Sequence, residues 1–338
     1  MSSTPAPTPV GATPAPSRVR SIVEAARGSL QQVLAFASLI VVLVFFSIAS
    51  PYFFTPSNLV GILMAATVTG ILALGTTFVI ITGGIDLSIG TGMILCGVMT
   101  GVFITFWGWP VWAGVIGAIL FGALIGFVNG VNIAILKIPP FIATLGMMLI
   151  ASGLSLVISG TKPIYFKEHP DFQLLMNFSV IPGARFPLGV VIFLVLVVVA
   201  AILLAKTIIG RYTFSIGSNE AATALSGVNV TKWKIIIYSL AGLFVGLAGV
   251  LAASRLSSAQ PVGGLGLELE AIAAVVIGGT SLQGGKGSIV GTVIGALIVA
   301  VLTNGLRVTA VPQEWQSVVV GCVILIAVYL DMLRRRGA

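Results

Sequence analysis

The stretch LVGILMAATVTGILALGTTFVIIT, residues 59–82, carries no charged side chain and is followed at once by Gly83-Gly84-Ile85-Asp86-Leu87-Ser88. About 20 apolar residues in a helix cross the ~30 Å hydrocarbon core of a bilayer. Because lipid offers no hydrogen-bond partners, a spanning segment must satisfy its backbone groups internally, as a helix does. The stretch therefore predicts a transmembrane helix that breaks at the glycine pair.

Similar apolar runs occupy most of the chain. Of its 338 residues, 57% are hydrophobic and only 8% are charged, whereas soluble domains carry about 25% charged residues. We predict an all-α, polytopic transmembrane helical bundle of about ten spans. The spans are expected near residues 33–49, 59–82, 86–107, 111–135, 139–159, 188–206, 234–254, 265–280, 288–306 and 313–331.

The run at 265–280 is short for a crossing and follows the irregular stretch Pro261-Val262-Gly263-Gly264. We expect broken or half helices near 261–270 and near 83–86. If this run crosses and the N-terminus is cytoplasmic, most of the 17 Lys and Arg residues lie in cytoplasmic segments; otherwise the bias disappears. We therefore predict that it crosses and that both termini are cytoplasmic.

The domain organisation follows from these spans. Residues 1–17 are rich in Pro, Ala, Thr and Ser, which predicts a disordered cytoplasmic tail over 1–30. A transmembrane domain is expected over 31–333, with a periplasmic loop at 160–187, a cytoplasmic loop at 207–233 and a basic cytoplasmic C-terminus at 334–338. The run at 33–49 also resembles a secretory signal, but its length and the spans that follow favour an uncleaved helix.

Little in the sequence predicts catalysis. Gly284-Gly285-Lys286-Gly287-Ser288 lacks the leading Gly and the Ser or Thr of a phosphate loop. His169 is the only histidine, and Cys96 and Cys322 lie inside apolar runs. We expect no enzyme activity, catalytic residue, metal or cofactor. The net charge of +8 fits basic loops facing anionic membrane lipid rather than nucleic acid.

Four residues near span ends are candidates for a translocation path or gate: Asp86, Ser88, Glu268 and Glu270. Ionisable groups within a membrane are costly and often functional. Asp86 also suits a helix cap, and two carboxylates two residues apart suit a helix N-terminus without sharing a face. Capping and path-lining roles both stay open at this stage.

Glycines recur four residues apart, as at Gly122, Gly126 and Gly130 and at Gly242 and Gly246. This spacing puts them on one helix face and lets two helix backbones approach closely. It predicts tight packing inside the bundle, with contact between subunits as the alternative.

The cytoplasmic loop contains GSNEAATALSGVNV, residues 217–230. Ser218 or Asn219 can cap a short helix at Glu220 to Leu225, which Gly227 would end. Its alanines make this helix slim. Such a helix either fits a groove on a partner protein or lies on the membrane surface.

The chain resembles the permease subunits of bacterial ABC importers for simple sugars, and ribose permeases in particular. The resemblance covers about Phe53 to Leu330. The similar stretches are GGIDLSIG (83–90), PPFIATLGMM (139–148), GSNEAATALSGVNV (217–230), RLSSAQP (255–261) and LELEAIAAVVIGGTSLQGGKGSIVGT (267–292).

The resemblance implies a homodimeric inner-membrane permease that translocates a monosaccharide, ribose or a related sugar, by alternating access. It implies two partners: a cytoplasmic ABC ATPase, expected to be tandem-domain, and a periplasmic sugar-binding protein. The ATPase-coupling residues it implies are Gly217, Asn219, Glu220, Ala221, Ala222, Ser226 and Gly227. The main alternative is an ion-coupled secondary transporter of a small polar solute.

Overall fold

The computed structural model describes residues 18–181 and 184–336. Helices account for most of this chain, and four short strands form two antiparallel pairs, β1 with β4 and β2 with β3. In chain order the elements are α1 (Arg18–Ala49), α2 (Pro56–Ile81), α3 (Ile89–Gly101, prolonged by a π-helical turn, Val102–Phe106), α4 (Val111–Ala134), α5 (Pro140–Ser159), β1 (Ile164–Tyr165), α6 (Pro170–Asn177), β2 (Ser179–Ile181), β3 (Ala184–Pro187), α7 (Leu188–Lys206), α8 (Ile208–Ser218), α9 (Glu220–Leu225), α10 (Val230–Leu256), β4 (Ser258–Ala259), α11 (Leu267–Ile277), α12 (Ile289–Val308) and α13 (Gln313–Arg336).

Eight helices in the described part of the chain are long and apolar enough to cross a membrane: α1, α2, α3 with its π-helical turn, α4, α5, α7, α10 and α12. The other two predicted spans are α11 and α13. With 11 residues, α11 is about 16 Å long at ~1.5 Å per residue, roughly half the hydrocarbon thickness. The all-α bundle and the half helix near 261–270 are confirmed.

The predicted boundary of the N-terminal tail needs correction. Because α1 begins at Arg18, residues 18–30 are helical rather than disordered. They include Arg, Glu, Ala and Leu, which are good helix formers, and the helix continues without a break into the apolar run. Residues 1–17, where the rest of the tail was predicted, and the terminal Gly337 and Ala338 lie outside the described residues.

The bundle has two ends, named here after the short helices at each. At the α9 end, the Gly285 amide in the 278–288 loop donates to the carbonyl of Ile81, the last residue of α2 (2.8 Å). At the α6 end, Ser254 near the end of α10 donates through Oγ to the carbonyl of Phe172 in α6 (2.7 Å). The α6 end therefore carries the 160–187 segment, and the α9 end carries the 207–233 segment.

Two helices begin inside the bundle rather than at an end. Gly90, at the start of α3, lies against the carbonyl of Gly264 and the side chain of Glu268, at the start of α11. Gly92 packs on Val245, in the second half of α10. The non-helical segments 82–88 and 257–266 therefore enter the bundle from opposite ends. Between the end of α10 and the start of α12, the chain passes from one end of the bundle to the other, and α11 is the helical part of this passage.

Close glycine contacts hold the centre of the bundle. A side chain at Gly126 would overlap the carbonyl of Tyr238, and one at Gly122 would overlap the carbonyl of Gly242. Such proximity maximises dispersion contacts between α4 and α10. The predicted packing role of the spaced glycines inside the bundle is confirmed.

We expect Gly126→Leu to prevent correct packing, because its side chain would have to displace the α10 backbone. The matched control is Gly146→Leu in α5, where nothing lies within 4 Å of an added Cβ. Fluorescence-detected size-exclusion chromatography should show aggregation only for the first variant. Equal monodisperse peaks would contradict the proposed role of this contact.

Candidate functional site

The short helix α9 spans Glu220–Leu225, as the sequence predicted. Asn219 is its cap, since Oδ1 accepts the amide of Ala222 at 2.9 Å. At the other end Gly227 has φ +83°, the left-handed conformation that glycine adopts without strain, and its amide donates to Ala224 (3.0 Å). The predicted cap and terminator are both confirmed.

The surface of α9 is small and apolar. Thr223 is buried and anchors the helix, while Ala221, Ala222 and Ala224 are exposed. Leu225, at its tip, is 91% exposed. A single exposed leucine is ordinary on a soluble surface, but here it ends a rigid, capped projection, a shape suited to insertion into a groove.

An ion pair fixes α9 to α10. Lys234 Nζ lies 2.7 Å from Glu220 Oε2, and the pair forms part of the wall of a groove of about 540 Å³ between α9, α10 and the end of α4. Partly exposed pairs of this kind contribute about 0.2–1 kcal/mol to stability. The pair therefore matters more for the orientation of α9 than for the stability of the fold.

Gly217, near the end of α8, joins the 207–233 loop to the bundle. A side chain there would overlap the Ile81 carbonyl and crowd the Gly285 amide. Gly285 itself bonds to that Ile81 carbonyl. The loop is thus packed directly on the end of α2 and on the 278–288 loop that connects α11 with α12.

The predicted path residues divide into two groups. Asp86 and Ser88 are buried at the start of α3. Asp86 Oδ1 accepts the Ser88 amide (2.8 Å) and hydroxyl (2.6 Å), and Asn129 Nδ2 of α4 donates to the same hydroxyl (2.9 Å). Asp86 therefore accepts the amide of the residue just before α3, whereas the N-cap of α3 itself is Ser88.

Glu268 lies across the junction from this group and is also buried. Its Oε1 accepts the Gly266 amide at 2.9 Å, and its Oε2 lies beside Gly90. The positive dipole ends of α3 and α11 face one another here, and each has a carboxylate within its first turn or just before it. These carboxylates offset the repulsion between the two helix ends.

Glu270 points away from this junction. It lines an open cavity bounded by α11, α12 and α13, although it is only two residues from Glu268. The structure therefore gathers Asp86, Ser88 and Glu268 at one buried junction and places Glu270 elsewhere. The coupling residues lie apart from both groups, at the α9 end.

Three relevant residues were absent from the predicted set. Asn129 is one of two amides, with Asn132, in the apolar span of α4, and polar residues inside a membrane are often functional. Arg307 ends α12 and lines the same cavity as Glu270. Leu225 was predicted only as a member of a helix, because its exposure depends on how α9 packs on the bundle.

Eight helices able to span a membrane, with the starts of α3 and α11 meeting between them, define a multi-pass membrane protein. A sequence profile for permease components of branched-chain amino acid transport systems matches residues 58–328. The chain belongs to this permease family.

Individual relatives place the chain among sugar permeases of that family. The ribose import permease of Escherichia coli K12 is 48% identical over 219 residues, covering 64% of this chain and 68% of the relative. That of Bacillus subtilis 168 is 47% identical over 215 residues (62% and 64%). The fructose import permease of Rhizobium meliloti is 39% identical over 242 residues (70% and 67%). The resemblance inferred from the motifs is confirmed.

A solved structure shares the fold. It is a metal-chelate-type ABC transporter in an inward-facing conformation, with a TM-score of 0.50, 17% identity, and coverage of 88% of this chain and 98% of the other. At this identity the likeness concerns architecture alone.

We expect Gly217→Ala to destabilise the protein by about 1–3 kcal/mol, because the new methyl group would overlap the Ile81 carbonyl. Gly61→Ala is the control, since no atom lies within 4 Å of its added Cβ. Thermal unfolding in detergent should show a lower midpoint for the first variant only. Unchanged midpoints for both would show that α8 is not packed on α2 as described.

Proposed function

We propose that the chain is the permease subunit of an ABC importer. It translocates a monosaccharide, ribose or a related sugar, across the bacterial inner membrane by alternating access driven by separate ATPase subunits. The observation that carries this proposal is the capped helix α9 with its exposed Leu225, at the end of a bundle whose relatives include ribose and fructose import permeases.

The α9 end is proposed to face the cytoplasm, with both chain termini on that side. Its connecting segments are basic, and cytoplasmic loops carry an excess of Lys and Arg. The basic residues in these segments are Lys137, Lys206, Arg211, Lys232, Lys234 and Lys286. The α6 end then faces the periplasm and receives the sugar-binding protein, and two permease chains form a homodimer.

Coupling is proposed to run from α9 to the interior through packed backbone. The ATPase would contact Asn219, Glu220, Ala221, Ala222, Ser226 and Gly227 on α9 and its flanks. Displacement of α9 moves α8, and Gly217 transmits that motion to Ile81 and Gly285, with which it is in contact. The 278–288 loop continues into α11, so the half-helix junction would respond to the ATPase.

Reconstitution tests the proposal directly. The permease, its ATPase and its binding protein in proteoliposomes should accumulate D-ribose or a related monosaccharide only when ATP is supplied on the ATPase side. Uptake by the permease alone, driven by a proton or sodium gradient, would overturn the proposal in favour of the ion-coupled alternative.

We expect Glu220→Lys to lower ATP-driven uptake by about tenfold, because the substituted lysine faces Lys234 and repels it. The charge-swapped variant Glu220→Lys/Lys234→Glu restores the pair and should recover most of the uptake. Glu314→Lys, at an exposed carboxylate of α13, is the control. If the swapped variant stays inactive, orientation of α9 by this pair is not what limits coupling.

Leu225→Asp should reduce co-purification of the ATPase with the permease, because a charged group replaces the apolar tip of α9. Leu174→Asp, at a half-exposed leucine of the α6 end, should leave co-purification unchanged. Equal recovery of ATPase with both variants would count against α9 as the docking element.

A further inference from the structure

A cavity of about 740 Å³ lies between the first turn of α11, the last turns of α12 and the first half of α13. Small-molecule sites in proteins occupy about 300–1,000 Å³, so the cavity is large enough for a monosaccharide with some water. It opens beside Arg307, whose helix ends at the α6 end of the bundle. In the proposed orientation this is the periplasmic half of the protein.

The walls of this cavity combine polar and charged side chains with apolar ones, although α11, α12 and α13 are predicted membrane segments. Glu270 faces it from α11 and Arg307 from α12. The ion pair within 4 Å found in the described residues is that of Lys234 with Glu220, so Glu270 and Arg307 share the cavity without closing a salt bridge. The structure therefore places one acidic and one basic residue in the lining of the same cavity.

The third wall, α13, lines the cavity with polar side chains in its first turns and with Val320 and Ile324 further along. Three polar residues of α13 line the cavity: Gln313, Gln316 and Ser317. The second and third follow the first by three and four residues, which puts them on the same helix face as Gln313. The adjacent Val318 is half-exposed and lies outside the lining. A membrane helix with amides and a hydroxyl on one face needs a polar surface opposite that face.

This set of groups suits a neutral compound with several hydroxyls. A carboxylate accepts hydrogen bonds from neighbouring hydroxyls, a guanidinium donates two in parallel, and carboxamides do both. One negative and one positive group leave the walls without net charge, which disfavours ionic solutes. The described lining of this cavity has no aromatic residue, so it offers no ring surface on which a sugar could stack.

We propose that this cavity is a low-affinity contact site for a monosaccharide on the translocation path, with Glu270, Arg307 and Gln313 as its principal hydrogen-bonding groups. The inference rests on the proposed function as a sugar permease. It also separates two roles that the sequence left together, since Glu270 faces solute whereas Asp86, Ser88 and Glu268 hold the half helices.

Cysteine accessibility tests the proposal in the full-length chain. In a Cys322→Ser background, which removes the exposed one of the two thiols, Ser317→Cys puts a thiol in the cavity and Val318→Cys puts one on the neighbouring face. A charged, membrane-impermeant methanethiosulfonate should modify the first variant quickly, because thiolate forms in water. Millimolar D-ribose, D-fructose or D-allose should protect it, and should leave the reaction of the second variant unchanged.

Glu270→Gln in the Ser317→Cys background measures the contribution of the carboxylate. The sugar concentration that gives half-protection should rise by about tenfold, as expected when a charged hydrogen bond is lost. Glu314→Gln in the same background is the control. Glu270→Gln also changes the charge near the thiol of Ser317→Cys and can therefore change its labelling rate. The sugar concentration that gives half-protection does not depend on that rate, so it reports the change in sugar binding.

Failure of this inference is distinguishable from failure of the proposed function. An unreactive Ser317→Cys thiol, or a reactive one that none of the three sugars protects, overturns the cavity as a sugar contact, even if the Cys322→Ser parent shows ATP-driven uptake. Absence of ATP-driven uptake in that parent overturns the function itself. Protection unchanged by Glu270→Gln would exclude the assigned role of the carboxylate.

Discussion

A backbone in hydrocarbon must satisfy its own hydrogen bonds, and the rest of this structure depends on that constraint. Wherever the chain leaves helical geometry inside the bundle, it must be enclosed by protein. Two non-helical segments, 82–88 and 257–266, are enclosed because each ends against the other inside the bundle. There Gly90, at the start of α3, contacts Gly264, just before α11. Asp86 and Glu268 then supply acceptors for the amides of Ser88 and Gly266.

The same junction is suited to motion. Gly90 and Gly264 have no side chains to interlock, and the Glu268 Oε2 and Asn129 Oδ1 atoms are buried acceptors without hydrogen-bond donors in the described structure. Buried acceptors without donors raise the free energy of an arrangement, so separating the half helices sacrifices little hydrogen bonding. Elsewhere, as between α4 and α10, interlocked backbone contacts make rigid units that move as wholes.

The sequence predicted best what depends on neighbours along the chain. Span positions follow from apolar length, and the bounds of α9 follow from Asn219 and Gly227, whose capping roles are local. It predicted poorly what depends on three-dimensional packing. The two-residue spacing predicted that Glu268 and Glu270 do not share a helix face, but it did not identify the site that each one lines. No spacing rule shows that Asn129 joins Ser88 or that Arg307 shares a cavity with Glu270. The predicted tail extends to residue 30, beyond the Pro-, Ala-, Thr- and Ser-rich residues 1–17 on which it rests, and so it misses the start of α1 at Arg18.

An importer whose energy comes from partner subunits has a particular need at its solute path. If a permease bound its solute tightly in one conformation, that binding would stabilise the conformation and raise the free-energy barrier to the next one. The binding free energy would then have to be supplied again to release the solute. Walls that offer one carboxylate, one guanidinium and a few amides, without aromatic stacking, can replace hydration water around a sugar yet release it. Under the proposed function, selectivity would reside in the delivering protein, and the permease would need only a polar route that opens when α9 is displaced.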